Sequence, residues 1–254
     1  MIAPELHLIA AQLEGLEETI ITKLIDRAQF KANLVAYKAG KSGFDGVENE
    51  SLFDLRLRYH EEMDAYFGRF CVPEERPFTP GLPLPRRKVT LPPSCLAIDE
   101  YEKVNLSAEI KSAYLDLVPR FCAKGDDGQY GSSVEHDVIA LQAIGRRIHF
   151  GAMYVAESKY RSDPVRYRQL IRGNDTDTLM QLLTRKDVEK RILQRVKEKL
   201  HHIQIEVNRE IRIVIDPEDV FRFYRDYVIP LTKKGEVLYL LNRRTRVECG
   251  AGLP

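Results

Sequence analysis

The chain has 254 residues, with 39 Lys and Arg against 38 Asp and Glu and a hydrophobic fraction of 44%. That composition supports a substantial core, and a net charge of +1 provides no basic surface for nucleic acid or an anionic membrane. There is no run of about 18 apolar residues, and Met1 to Leu16 carries Glu5 and Glu14 where a secretory signal needs a basic start and an apolar stretch; the sequence reads as a cytoplasmic protein.

From Ala3 to Phe30 the residues Leu6, Ile9, Leu13, Leu16, Ile20, Leu24 and Ile25 recur at helical spacing and predict a long first helix. A second helix is expected from Leu52 to Phe70, with Ser51 able to cap it. Pro73 to Pro93 holds seven prolines and predicts an extended connector. Helical patterning resumes at Asn105 and runs to Phe121, breaks at Lys124-Gly125-Asp126-Asp127-Gly128, and restarts after Ser132 or Ser133, either of which can cap. From Val134 one helix is expected to reach Tyr160. Asp163-Pro164 opens another, Gly173-Asn174-Asp175 precedes a short one, and Arg185 to Glu206 gives a long one. Ile211 to Ile215 alternates like a strand, but with no second strand to pair it reads as a connector. Asp216-Pro217-Glu218 starts a helix to Tyr227, and Pro230 begins a last one ending near Arg244. The expectation is an all-α fold with one helical domain over residues 1–244 and a loose tail over 245–254.

Cys71, Cys95, Cys122 and Cys249 stand singly without metal-ligand spacing, and read as reduced thiols with no metal site. Three polar groups on the helices have chemical potential. Arg147 and Lys159 set fixed cations on an apolar helix, where burial asks for an anionic partner; on spacing alone they are equally well solvated surface cations. Thr184, Arg185 and Glu189 open the long helix and read alternatively as a cap and an exposed i,i+4 ion pair. Thr232 and Glu236 share a face of the last helix among Ile229, Leu231, Val237 and Leu240; a glutamate buried there has a raised pKa, and one facing outward does not.

Arg146-Arg147-Ile148-His149-Phe150-Gly151, Val155-Ala156-Glu157-Ser158-Lys159, the loop Gly125-Asp126-Asp127 with Tyr130-Gly131-Ser132, Leu16-Glu17-Glu18-Thr19-Ile20-Ile21, Ile229-Pro230-Leu231-Thr232-Lys233 and Tyr239-Leu240-Leu241 occur in this order. Together they resemble the eukaryotic all-helical chorismate mutases, over roughly residues 6 to 244. The resemblance implies a homodimeric helical bundle that binds a small anionic substrate, chorismate or an analogue, and promotes its Claisen rearrangement to prephenate without cofactor or metal. It further implies that Arg147 clamps a carboxylate, Lys159 donates to a carboxylate and the ether oxygen, Glu189 engages the ring hydroxyl, Thr232 and Val155 line the site, and protonated Glu236 donates to the ether oxygen. An effector site between subunits would involve Arg69, Gly131 and Ser132.

Four departures from the family pattern qualify these roles. Ala10 occupies the place of a carboxylate-binding arginine on the first helix, and Arg185 stands where the family commonly has asparagine, so Arg185 is a candidate to recover the lost contact. Arg147 and Lys159 are twelve residues apart where the family has eleven. Eleven steps of about 100° return to the same face and twelve miss by about 120°, so both can face one pocket only across a π-bulge near Gly151 to Tyr154. Finally, Asp216 replaces the threonine associated with switching, which predicts altered or absent control by tyrosine and tryptophan. A repurposed pericyclic enzyme acting on an amino-chorismate or another enol ether, and a non-catalytic paralogue serving as a binding subunit, remain alternatives to the mutase reading.

Overall fold

The computed structural model describes residues 5–46 and 48–244, so the expected tail at 245–254 lies outside the described residues. Among these, all regular structure is helical, and no helix is long and apolar enough to cross a membrane. Helix α1 (Leu6–Ala28) buries Ile9, Leu16, Ile20, Leu24 and Ala28 along one face, the stripe its sequence predicts. It packs along α4 (Tyr130–Phe150), whose Val134, Val138, Leu141, Ile144 and Ile148 form the centre of the larger apolar cluster. Each such fully buried side chain contributes about 1.5–3 kcal/mol.

Arg27 near the end of α1 is fully buried and tied to the rest of the core by specific bonds. Its Nε donates to Asp137 of α4 at 2.6 Å, and the hydroxyls of Tyr37 and Tyr114 both donate to the same carboxylate at 2.7 Å. The remaining guanidinium N–H groups donate to the carbonyls of Phe30, Lys31 and Ala32 and to the Tyr37 hydroxyl. Breaking a buried pair of this kind costs about 3–5 kcal/mol, so it fixes α1 on α4.

Helix α2 (Leu52–Tyr66) starts on Ser51, whose Oγ accepts from the Asp54 N–H at 3.0 Å. It stops short of the expected Phe70 because Gly68 turns left-handed, at φ 84°, and the proline-rich connector crosses it so closely that a Cβ there would lie 2.4 Å from Val89 Cγ2. Helix α3 (Ser107–Phe121) follows. α4 begins at Tyr130, earlier than the serine caps predict. Asp127 organises that start instead, accepting from the Gln129 N–H at 2.9 Å, the Lys31 N–H at 2.8 Å and Asn33 Nδ2 at 2.9 Å.

α5 (Ala156–Ser162), α6 (Pro164–Arg172), α7 (Thr176–Leu183), α8 (Lys186–Gln204), α9 (Pro217–Phe223) and α10 (Ile229–Asn242) complete the bundle. Thr184 does not cap α8; its hydroxyl donates back to Met180 O at 2.7 Å and closes α7. Residues 211–215 form no strand. Side-chain amides stand in for a strand partner: Gln204 satisfies both the N–H and C=O of Ile215, at 2.8 and 2.9 Å, and Gln29 does the same for Ile213, at 3.0 and 3.1 Å.

The break expected before Pro230 is absent. A π turn over Tyr224–Val228 joins α9 to α10, with Pro230 in the first turn of α10, where its missing N–H is tolerated. Helix α10 runs between α4, α5 and α7, and with them builds a second apolar cluster of Ala152, Met153, Ala156, Leu179, Leu183, Val237 and Leu240.

Candidate active site

α4 continues into α5 through a π turn over Gly151–Val155. A π turn takes about one residue more than an α turn, so it absorbs the twelfth residue between Arg147 and Lys159 and returns both to the face that meets α10. The approach is close because both helices carry glycine there. A Cβ on Gly151 would lie 2.9 Å from Thr232 Cγ2, and one on Gly235 would lie 2.5 Å from Ala152 Cβ.

Arg147 is 2% exposed. Its Nη1 donates to Thr232 Oγ1 at 2.9 Å, its Nη2 lies 3.8 Å from Glu17 Oε1, and its Nε has no partner. Thr232 passes its own proton to Val228 O at 2.7 Å. One turn further along α10, Glu236 Oε2 accepts from Lys159 Nζ at 2.9 Å, and Lys159 also donates to Leu183 O at 3.0 Å. Glu236 is only 4% exposed. Burial raises its pKa above the usual carboxylate range, against the pull of Lys159, Lys233 and Arg147. Glu189 on α8 meets Lys233 Nζ at 3.0 Å, and Val155, the last residue of the π turn, is half-buried.

Two residues absent from the sequence-based set frame the Arg147 side. Glu17 is fully buried and takes a two-point contact from Arg195 of α8, at 2.9 and 2.8 Å. Tyr224, also fully buried, leaves its hydroxyl without a partner, and its ring centroid lies 5.8 Å from the Arg147 guanidinium carbon. Glu17 left one readable signal, an acid at helical spacing within the apolar stripe of α1. Arg195 left none, because α8 carries cations on every side, and Lys233 stands beside Lys234 with nothing in the sequence to say which of the two turns inward.

Arg185 does not enter this constellation. Its side chain is 61% exposed and lies 3.4 Å from Asp187, because as the residue preceding α8 it projects from the helix end into solvent. It does not pair with Glu189, whose carboxylate turns to Lys233 instead. Ala10 is exposed on α1, two turns before Glu17 and on the same face. A buried arginine, a half-buried lysine, a neutralisable carboxyl and an unpartnered hydroxyl around one helix face suit a small multiply anionic ligand.

No family model matches the chain. The chorismate mutase of Schizosaccharomyces pombe is 37% identical over 254 aligned residues, covering 94% of this chain and 96% of that protein. The chain belongs to the chorismate mutase family. Chorismate mutase 2 of Petunia hybrida is 37% identical, with 94% and 92% of the two chains covered. The crystal structure of the Candida albicans chorismate mutase, in complex with L-Trp, superposes with a TM-score of 0.86 at 34% identity, covering 94% of this chain and 91% of that one.

Within this chorismate mutase fold, His149 of the family-like Arg146 to Gly151 motif has a structural place. Its buried Nε2 accepts from the Leu106 N–H at 3.0 Å and so satisfies a backbone donor at the start of α3; burial depresses its pKa to about 3 and keeps it neutral. Arg69 donates to Asp64 at 2.6 Å, to Glu75 at 2.9 Å and to Gln142 at 2.6 Å. Gly131 and Ser132 lie in the first turn of α4, about 15 Å along that helix from Gln142, so one chain does not bring Arg69 to them. An open groove of about 450 Å³ beside Ser51 lies away from these residues, and its cations Arg58 and Lys111 are already paired with Glu50 and Asp54.

Proposed function

We propose that this chain catalyses the [3,3] rearrangement of chorismate to prephenate. The observation that carries the reading is the contact of Lys159 with buried Glu236, one turn from the Arg147 contact with Thr232. In this reaction the ether C–O bond breaks as a new C–C bond forms within one molecule, so no atom is transferred to or from the protein. Catalysis consists of holding the folded conformer and stabilising charge at the ether oxygen. Arg147 takes one substrate carboxylate with the N–H groups not used by Thr232. Lys159 turns from Glu236 to a carboxylate and the ether oxygen, Glu189 accepts from the ring hydroxyl, and Thr232 and Val155 line the cavity. Once Lys159 is shared with substrate, Glu236 loses part of the attraction that keeps it ionised, takes up a proton and donates to the ether oxygen.

Incubating purified protein with chorismate and following its loss together with prephenate appearance tests the assignment. Turnover that falls as pH rises through the Glu236 transition is expected. No turnover by either the native chain or Ala10→Arg would sink it.

Ala10 favours a second reading, in which the same pocket rearranges an amino-chorismate or another enol ether, or binds a ligand without turnover. Direct competition among these substrates separates the readings. The chain acts in aromatic amino acid biosynthesis in the cytoplasm as a homodimer. Support for pairing comes from Tyr59 and Met63 on α2 and Phe67 at its C-terminal end, which are 56%, 50% and 73% exposed at i,i+4,i+8 spacing. Any effector site built from Arg69, Gly131 and Ser132 joins two subunits. With Arg69 already committed to two carboxylates, control by tyrosine and tryptophan is weak.

A further inference from the structure

α10 presents one polar seam to the segment that carries Lys159. Thr232, Glu236, Tyr239 and Arg243, the residue that ends the helix, fall within about 60° of one another around the helix axis. The first two meet Arg147 and Lys159; the last two converge on Glu157, two residues before Lys159. Glu157 is 1% exposed. Its Oε2 accepts from the Tyr239 hydroxyl at 2.7 Å and from Arg243 Nε at 2.7 Å, and its Oε1 from Arg243 Nη2 at 3.1 Å and Arg161 Nε at 2.7 Å. Tyr239 in turn accepts from the Ala97 N–H at 2.9 Å, and the Arg243 guanidinium stacks 3.5 Å from the Tyr160 ring centroid.

We infer that Glu157 is a positioning residue for the reaction: clamped by Arg243 and Tyr239, it locks α5 to the end of α10 and thereby fixes the reach of Lys159 to Glu236. The inference rests on the chorismate reading for its kinetic consequence, but not for its structural one.

Three observations support a role beyond packing. α5 runs only seven residues past the π turn before it ends at Ser162, so few backbone bonds beyond that turn hold its register. It follows a π turn, where an extra residue is accommodated and an α-helical register competes. Glu157 and Lys159 leave α5 about 200° apart, so the helix is held from two sides and rotation cannot move one contact without the other. Although burial pushes the Glu157 carboxyl up, Arg243, Arg161 and Tyr239 hold it below the usual carboxylate range, so the clamp stays ionised wherever Glu236 titrates.

The groups facing Glu236 are Lys159 from α5, Lys233 from α10, Arg147 from α4 and Tyr167 from α6, with Glu189 of α8 opposing Lys233. Of these, Lys159 is the cation in direct contact. Withdrawing it leaves burial less opposed, and the Glu236 pKa moves up.

The test uses the full chain with Glu157→Gln and, because the buried change can impair folding, Arg243→Gln at the edge of the clamp. The Glu236 carboxyl is followed by carbon NMR with pH, and kcat and KM by chorismate turnover with pH. Both variants are expected to move the Glu236 titration upward, to lower kcat roughly tenfold or more, as for a misplaced catalytic group, and to carry the alkaline limb of the kcat profile to higher pH. An unmoved Glu236 titration in the folded variants, with kcat reduced no more than the folded fraction, overturns the inference. A native chain inert towards chorismate defeats the functional reading instead, while the NMR titration still decides the clamp.

Discussion

Lys159 Nζ lies 2.9 Å from Glu236 Oε2 inside the bundle, and the two residues regulate one another. The lysine opposes the burial that raises the carboxyl's pKa, and the carboxyl gives the half-buried ammonium an anionic partner. In the proposed mechanism the protonation state of Glu236 sets the pH range of activity.

Glu236 has a raised folded pKa, and in the proposed mechanism its protonated form is the donor. Activity is accordingly present below that pKa and lost as pH rises through it. Glutamine keeps an N–H donor at every pH. In Glu236→Gln, kcat/KM should lose the alkaline fall and exceed that of the native chain above neutrality. A fall retained in the variant would assign the transition to another group.

The π turn at Gly151–Val155 exists to accommodate one residue. Removing half-buried Tyr154 should let the segment relax to α-helix, restore eleven-residue spacing and keep Arg147 and Lys159 on one face. Circular dichroism should show a folded chain, and kcat/KM should stay within about tenfold of native. Inserting an alanine at the same place rotates Lys159 by about 100° and should abolish turnover.

Ala10 is exposed and free of packing constraints, and Arg185 is exposed and bound to Asp187. Ala10→Arg should raise kcat/KM for chorismate by roughly tenfold or more, the scale of one added charge-assisted contact to a carboxylate. Arg185→Ala should change it less than about twofold. A large loss in Arg185→Ala would mean that this arginine folds over the site when substrate binds.

His149 is buried neutral, with a folded pKa of about 3 against about 6.5 when unfolded. Between those values the unfolded chain binds the extra proton, so stability is full above about pH 6.5 and declines as pH falls towards 3, by on the order of 5 kcal/mol at most. His149→Gln can still accept from Leu106 N–H and does not titrate. The difference in melting temperature between pH 7 and pH 5 should shrink in that variant, and an unchanged difference would place the acid sensitivity elsewhere.

The helical stripes of α1, α4 and α10 are written in the order of apolar residues, because a 3.6-residue period leaves a local record wherever one face is buried. Arg147, Lys159, Thr232 and Glu236 stand within or beside those stripes, but spacing alone reads them equally well as surface groups; the resemblance to chorismate mutases singles them out, and the twelve-residue spacing asks for a π turn only against the family's eleven. Tertiary structure decided what spacing cannot express. Arg185 points to solvent because it precedes α8, whereas Lys233 reaches Glu189, and Arg195 reaches Glu17 across 178 residues of chain. Such pairings depend on how charged helix faces are rotated against one another, and a helix with cations all round carries no sign of which one turns inward.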